Sequence, residues 1–161
     1  LKEALAEGKE QEMELSYSHK AKGSGDNDLG DVYVEISIDR QTMWCYKNGQ
    51  VVVETPVVTG DISKAGRATP KNGCWPIFWK TTEYTMNGPR DENGTPEYTT
   101  FVHYWMPFNG GVGIHDLASR GNNFGGDIYK TNGSHGCINT PLAAVKTIYE
   151  TVSVGTPVIV Y

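Results

Sequence analysis

Apolar residues recur at every second position from Val32 to Ile38, with Tyr33, Glu35, Ser37 and Asp39 between them. A period of two separates the two faces of a strand, so this stretch predicts a half-buried β-strand. Residues 42–47 and 50–59 flank Asn48-Gly49, a dipeptide that tolerates the positive φ angles of a type I′ hairpin. Further strands are predicted at 73–80 (Cys74, Trp75, Ile77, Phe78, Trp79), at 101–108, at 112–115 ending on His115, and at 158–161. One main helix is predicted. Thr140 reads as its N-cap, Pro141 as its first residue, 142–150 as its body and Gly155-Thr156-Pro157 as its stop. Many strands and one helix predict a mostly-β sandwich or barrel-like domain.

The segments between are polar. Residues 61–72 and 116–131 read as Gly-rich loops, the second with room for a short helical turn. Residues 81–100 carry Asn87-Gly88-Pro89 and Asn93-Gly94; so long an insertion in a compact domain is expected to be functional or mobile. Near the start, residues 1–11 read as the end of a helix from a preceding domain. Met13, Leu15 and Tyr17 alternate like a half-exposed strand, and 20–30 hold almost no apolar residue. The expected organisation is an appendage and linker over 1–30 and one domain over 31–161, without internal repeats.

Composition narrows the class. The 161 residues are 38% hydrophobic and 20% charged, enough for one sizeable core. A net charge of −5 with no basic stripe argues against a nucleic-acid partner. No apolar run is long enough to span a bilayer and no signal-peptide pattern is present. A chain opening on Leu1 reads as a fragment, and a leader or anchor outside it stays open. The three cysteines, Cys45, Cys74 and Cys137, match no zinc spacing. Export would allow Cys45 to pair with Cys74; the favoured expectation is that both are small buried hydrophobes.

The candidate chemistry lies in Gly133-Ser134-His135-Gly136-Cys137-Ile138-Asn139-Thr140-Pro141. A cysteine just ahead of a helix N-terminus would feel the positive end of the helix dipole, which favours the thiolate. Gly136 lets backbone approach a substrate carbonyl beside the sulfur. His115 lies 22 residues upstream, and a cysteine with a separate histidine outlines a nucleophile and its base. Asp116 follows His115 directly, so on a strand its side chain points the other way and is not a triad partner. His135 would have to fold back onto a residue two positions away, so its expected role is to orient the loop or polarise the site. The Gly136 and Cys137 N–H groups are the candidate oxyanion donors. Tyr104, Trp105 and Asn139 are the candidate substrate contacts. Alternation along 101–108 gives about half of its aromatics to the core, and Asn139 also suits a tie between loop and helix. His19 and His103 are expected to be incidental, and Lys64 and Arg67 solvated. A zinc site from His115, His135 and Cys137 would lack a fourth ligand.

Ile114-His115-Asp116 followed by Ser134-His135-Gly136-Cys137-Ile138-Asn139 resembles the active-site signature of the L,D-transpeptidase (YkuD-type) family. Tyr33-Val34-Glu35-Ile36, residues 44–49, Thr55-Pro56-Val57-Val58-Thr59-Gly60, Thr69-Pro70 and Tyr104-Trp105-Met106-Pro107-Phe108 are similar too, so the likeness covers residues 31–161. The resemblance implies an L,D-transpeptidase-like β-sandwich, with the main helix following the Cys loop. It implies a Cys137 nucleophile, a His115 base and a backbone carbonyl at Ser134 that orients the base. It further implies peptidoglycan stem peptides as acyl donor and acceptor, a 3→3 cross-link formed through a thioester, and inhibition by carbapenem-type β-lactams. No metal or other cofactor would be needed, and the site of action would be outside the cytoplasmic membrane, in the cell wall. A monomer is the default expectation. Two rivals stand beside this reading: hydrolysis of the same stem by an L,D-carboxypeptidase or cysteine amidase, and a non-catalytic wall-binding module.

Overall fold

The computed structural model describes residues 28–161; the helix end and strand expected within 1–17 lie outside them. Two sheets face each other. The first runs in the order β3 (Gln50–Pro56), β2 (Thr42–Lys47), β1 (Val32–Ser37), β9 (Pro157–Val160), β4 (Gly73–Pro76). The second is β5 (Thr81–Asn87), β6 (Thr99–Asn109), β7 (Val112–Asp116), β8 (Ile138–Thr140). Two α-helices, α1 (Tyr129–Asn132) and α2 (Leu142–Thr151), complete the fold with a 3₁₀ turn at Ala118–Arg120. This is the mostly-β sandwich with one main helix.

The core follows the alternation. Val34 and Ile36 of β1, Met43 and Cys45 of β2, and Val158 and Val160 of β9 turn inward. They meet Met106 and Phe108 of β6, Ile114 of β7, Ile138 of β8, and Val145 and Ile148 of α2. The helix packs on β3, β6 and β7. Asn48 and Gly49 take φ of 52° and 76°, the positive pair that a type I′ turn demands. The C-terminal carbonyls of α2 are capped by a residue distant in sequence: Lys80 Nζ donates to the Tyr149 and Val152 carbonyls, each at 2.7 Å, and lies over the Tyr149 ring.

Register settles the cysteines. Cys45 pairs across β2–β1 with Val34 and points into the core, whereas Cys74 pairs with Ile159, which pairs with Glu35 on the opposite face. Three strand steps of about 4.8 Å also separate them, beyond disulfide reach. Both are free, Cys45 buried and Cys74 exposed; the expectation that both are buried holds only for Cys45.

Three element expectations are corrected. The strand over 73–80 stops at Pro76, because the chain then crosses to the second sheet: the Phe78 N–H donates to the Pro107 carbonyl at 2.8 Å. Residues 81–100 are regular in part: 81–87 and 99–100 are strand, and 88–98 remain the turn-rich connection. The strand residues belong to the exposed β5–β6 arm, with Tyr84 opposite Val102 and Thr85 opposite Phe101; with so little core to cover, the arm shows no apolar alternation. Helix α2 starts at Leu142 with Pro141 as an extended N-cap. Thr140 is in β8, its hydroxyl donating to the Ile138 carbonyl at 3.2 Å.

Candidate active site

Parallel pairing of β7 with β8 sets Ile114 beside Ile138, His115 beside Asn139 and Asp116 beside Thr140. Cys137 therefore enters β8 next to the start of β7. His115 and Cys137 share the wall of one cleft of about 450 Å³, whose lining also includes Tyr84, Tyr98, Trp105 and Arg120. On the far side, Val58 and Asn139 exchange two backbone hydrogen bonds of 2.9 Å, so the chain leaving β3 clamps β8 from the other edge.

The tautomer of His115 follows from its neighbours. Arg120 is only a donor, and its Nε donates to Asn139 Oδ1 at 2.7 Å. That fixes the Asn139 amide, whose Nδ2 then donates to His115 Nε2 at 3.2 Å. His115 Nδ1–H donates to the Asp116 carbonyl at 2.6 Å. Nε2 is thus the basic nitrogen. The carbonyl that orients it belongs to Asp116, not Ser134, because Ser134 presents its carbonyl to the Asp61 N–H at 2.9 Å. Burial lowers the pKa of His115, so at neutral pH it is an uncharged base. The Asp116 carboxylate does turn away: it accepts from the His103 and Tyr104 N–H groups and pairs with His103 Nδ1 at 2.8 Å. His103, expected to be incidental, helps hold the strand end that carries the orienting carbonyl.

Cys137 is not a helix-activated thiolate. Four residues, including all of β8, separate it from α2, and the dipole fades within a turn. Burial instead pushes its thiol up from 9.0 to about 11. The resting Sγ donates to the Gly111 carbonyl at 3.5 Å and receives the Gly113 N–H. Among the described residues no hydrogen bond joins it to His115. The pair at rest is a neutral thiol and a neutral imidazole in one cleft, and proton transfer must accompany attack.

Polar bonds between distant segments shape the Cys loop. The Ser134 hydroxyl donates to the Cys137 carbonyl at 2.5 Å and accepts the Gly136 N–H at 3.0 Å. Gly136 is therefore spent within the loop, and of the two expected oxyanion donors only the Cys137 N–H is left. Gly136 has φ of 120°, a conformation that side chains resist. Its carbonyl accepts from the Thr69 hydroxyl at 2.7 Å, and that hydroxyl accepts the Gly60 N–H at 2.8 Å. His135 is exposed at the rim, its ring 4.6 Å from that of Tyr98. Arg67 is not merely solvated: it pairs with Glu97 at 3.2 Å, tying the 61–72 loop to the chain just ahead of β6.

Of the aromatic candidates, Trp105 lines the cleft and its ring lies 5.7 Å from that of His115. Tyr104 does not line it. One residue before Trp105, it is turned by alternation to the other face, where it meets Tyr149 of α2 at 5.1 Å. Asn139 lines the cleft through its bond to His115 rather than as a free contact. Among the described residues no three His, Cys, Asp or Glu side chains converge as a metal-binding group, so His115, His135 and Cys137 are not brought together as ligands. Sequence reasoning missed Thr69, Tyr98 and Arg120. For Arg120 one signal existed, an arginine with no acidic neighbour in the Gly/Asn-rich loop between His115 and Cys137.

Residues 31–160 match the YkuD family, described as the L,D-transpeptidase catalytic domain. A crystal structure of a Cys-to-Ser mutant of Enterococcus faecium L,D-transpeptidase is 40% identical over 86% of this chain and 53% of that one, with a TM-score of 0.72. The catalytic domain of the E. faecium enzyme acylated by ertapenem is 42% identical over 81% of this chain and 97% of that domain, at 0.67. An L,D-transpeptidase from Mycobacterium smegmatis is 27% identical over 81% and 58%, at 0.66. The chain thus spans about half the length of the first of these. No match was found among curated proteins. With the family pattern over 31–160 and the Cys137–His115 cleft that goes with it, the chain belongs to the YkuD family of L,D-transpeptidase catalytic domains.

Proposed function

We propose that residues 31–161 are a cysteine acyltransferase unit that forms 3→3 cross-links between peptidoglycan stem peptides. The observation that carries this is the shared cleft of Cys137 and a buried, neutral, tautomer-fixed His115. A tetrapeptide stem enters with the carbonyl of its third residue at Cys137. His115 Nε2 exchanges the Asn139 amide for the thiol proton as Sγ attacks, and the Cys137 N–H faces the tetrahedral oxyanion. The imidazolium then protonates the departing amine of the terminal D-Ala, which leaves a thioester on Cys137. A side-chain amine of a second stem attacks the thioester, giving up a proton to His115, and the thiol is released.

The same thiol would open a carbapenem ring and keep it as a thioester, the kind of acylation named for the E. faecium domain. Because the stems lie outside the cytoplasmic membrane, we place the activity there. Product mass tests the reading: a tetrapeptide with an amine acceptor should give a cross-linked dimer and free D-Ala. A shortened monomer alone would assign hydrolysis instead.

A further inference from the structure

Two basic side chains of the described residues sit in ion pairs, Arg67 with Glu97 and Lys130 with Asp127, and the His103 ring is bonded to the Asp116 carboxylate. Arg120 is different. It is half-buried in the wall of the cleft, and its protein partners are neutral: the Asn139 side chain through Nε and the Asn132 carbonyl through a terminal nitrogen, at 3.0 Å. A guanidinium carries five N–H donors. These two bonds use two, and among the described residues no carboxylate pairs with the rest. Partial burial lowers its pKa, so an anion brought to it would relieve a charge that has lost part of its water.

Its place relative to the base says which anion. One amide side chain, Asn139, spans the gap, with 3.2 Å to His115 Nε2 on one side and 2.7 Å to Arg120 Nε on the other. The leaving amine must reach His115 Nε2 to collect its proton. In a terminal amino acid, amine and carboxylate are joined through a single carbon. A departing residue with its amine at His115 thus holds its carboxylate within reach of the free edge of Arg120.

We propose that Arg120 is the carboxylate receptor of the cleft, taking the free α-carboxylate of the residue that leaves the acyl donor. This rests on the acyl-transfer reading above and names the residue that reads the free carboxyl end of its tetrapeptide donor. A chain extended by one more residue, or capped as an amide, puts an uncharged group against the guanidinium.

The test compares single-turnover acylation of Cys137 by a tetrapeptide donor and by its C-terminal carboxamide, read by intact mass. The parent protein, Arg120→Gln and Arg120→Lys are run in parallel. Hydrogen bonds to charged groups suggest a preference of roughly 10- to 100-fold for the acid in the parent. Arg120→Gln should bring the acid-to-amide rate ratio close to one, even where loss of its bond to Asn139 slows both donors, and Arg120→Lys should keep part of the preference. Equal rates for acid and amide in the parent would overturn the proposal without any variant. So would an Arg120→Gln protein that keeps the parent's full acid-to-amide ratio, since Arg120 would then act only by holding Asn139. Iodoacetamide alkylation of Cys137 is the control. A parent thiol that is alkylated yet acylated by neither peptide nor carbapenem would sink the acyl-transfer reading itself, and with it this one.

Discussion

The sheet around β1 and the cleft beneath the β5–β6 arm are held by different physics. In the first, alternating Val34, Ile36, Met43, Cys45, Val158 and Val160 close an apolar core. Contacts there are between neighbouring strands, and the turn at Asn48-Gly49 is local. In the second, shape comes from polar bonds that join residues far apart in sequence: Thr69 to Gly136, Arg120 to Asn139, Ser134 to Asp61. The core supplies stability through area removed from water. The cleft gives up some of it, keeping a buried neutral histidine and a half-buried thiol where apolar side chains would pack. Stability and reactivity should therefore separate by region.

His115→Gln tests the cleft side with the largest effect. Losing the base should slow Cys137 acylation by roughly 10²- to 10⁴-fold and leave the melting temperature near that of the parent. An equal loss of stability would show that the histidine is chiefly structural. Phe108→Ala is the reverse case. It should cost about 3–5 kcal/mol of stability, as large cavities in aromatic cores do, seen as a lower denaturation midpoint, with acylation at low temperature kept. Thr69→Val stands between: it removes the hydroxyl shared by the Gly60 N–H and the Gly136 carbonyl. About 1–3 kcal/mol is expected for stranding such groups, and the acylation rate should fall further than the melting temperature alone would explain.

What could be read from the sequence divides along the same line. The β1 alternation, the hairpin at Asn48-Gly49 and the His115 and Cys137 positions are local patterns or short motifs, and each was legible. Strand β8 was not, because three residues pairing in parallel with β7 carry no period of their own; the capping signals at Thr140 and Pro141 pointed to helix instead. The orienting carbonyl of Asp116 was invisible for another reason: every residue has a carbonyl, so only geometry tells Asp116 from Ser134. Tyr104 and Trp105 needed the register of β6, which a run of aromatics does not define. Thr69 and Arg120 take partners 67 and 19 positions away.

The smallest effect is on pH dependence. Burial lowers His115 from 6.5, so as pH falls the unfolded chain takes up that proton first. Its contribution is present above about pH 6.5 and is lost below it. Cys137 and Cys45 are each pushed up from 9.0 to about 11. Their contribution is full below pH 9 and is lost as pH rises toward 11. Melting temperature should form a plateau between the two limits, and Cys137→Ala should recover part of the alkaline loss. A melting temperature still rising above pH 9 would contradict the assignment of a neutral resting thiol.

Everything above turns on Cys137 as an acylatable nucleophile served by His115 in an open cleft. Intact mass after incubation with a carbapenem, beside Cys137→Ala, tests it most directly. One stoichiometric adduct is expected on the parent protein and none on the variant. No adduct on the reduced parent, or an adduct that survives Cys137→Ala, would contradict it.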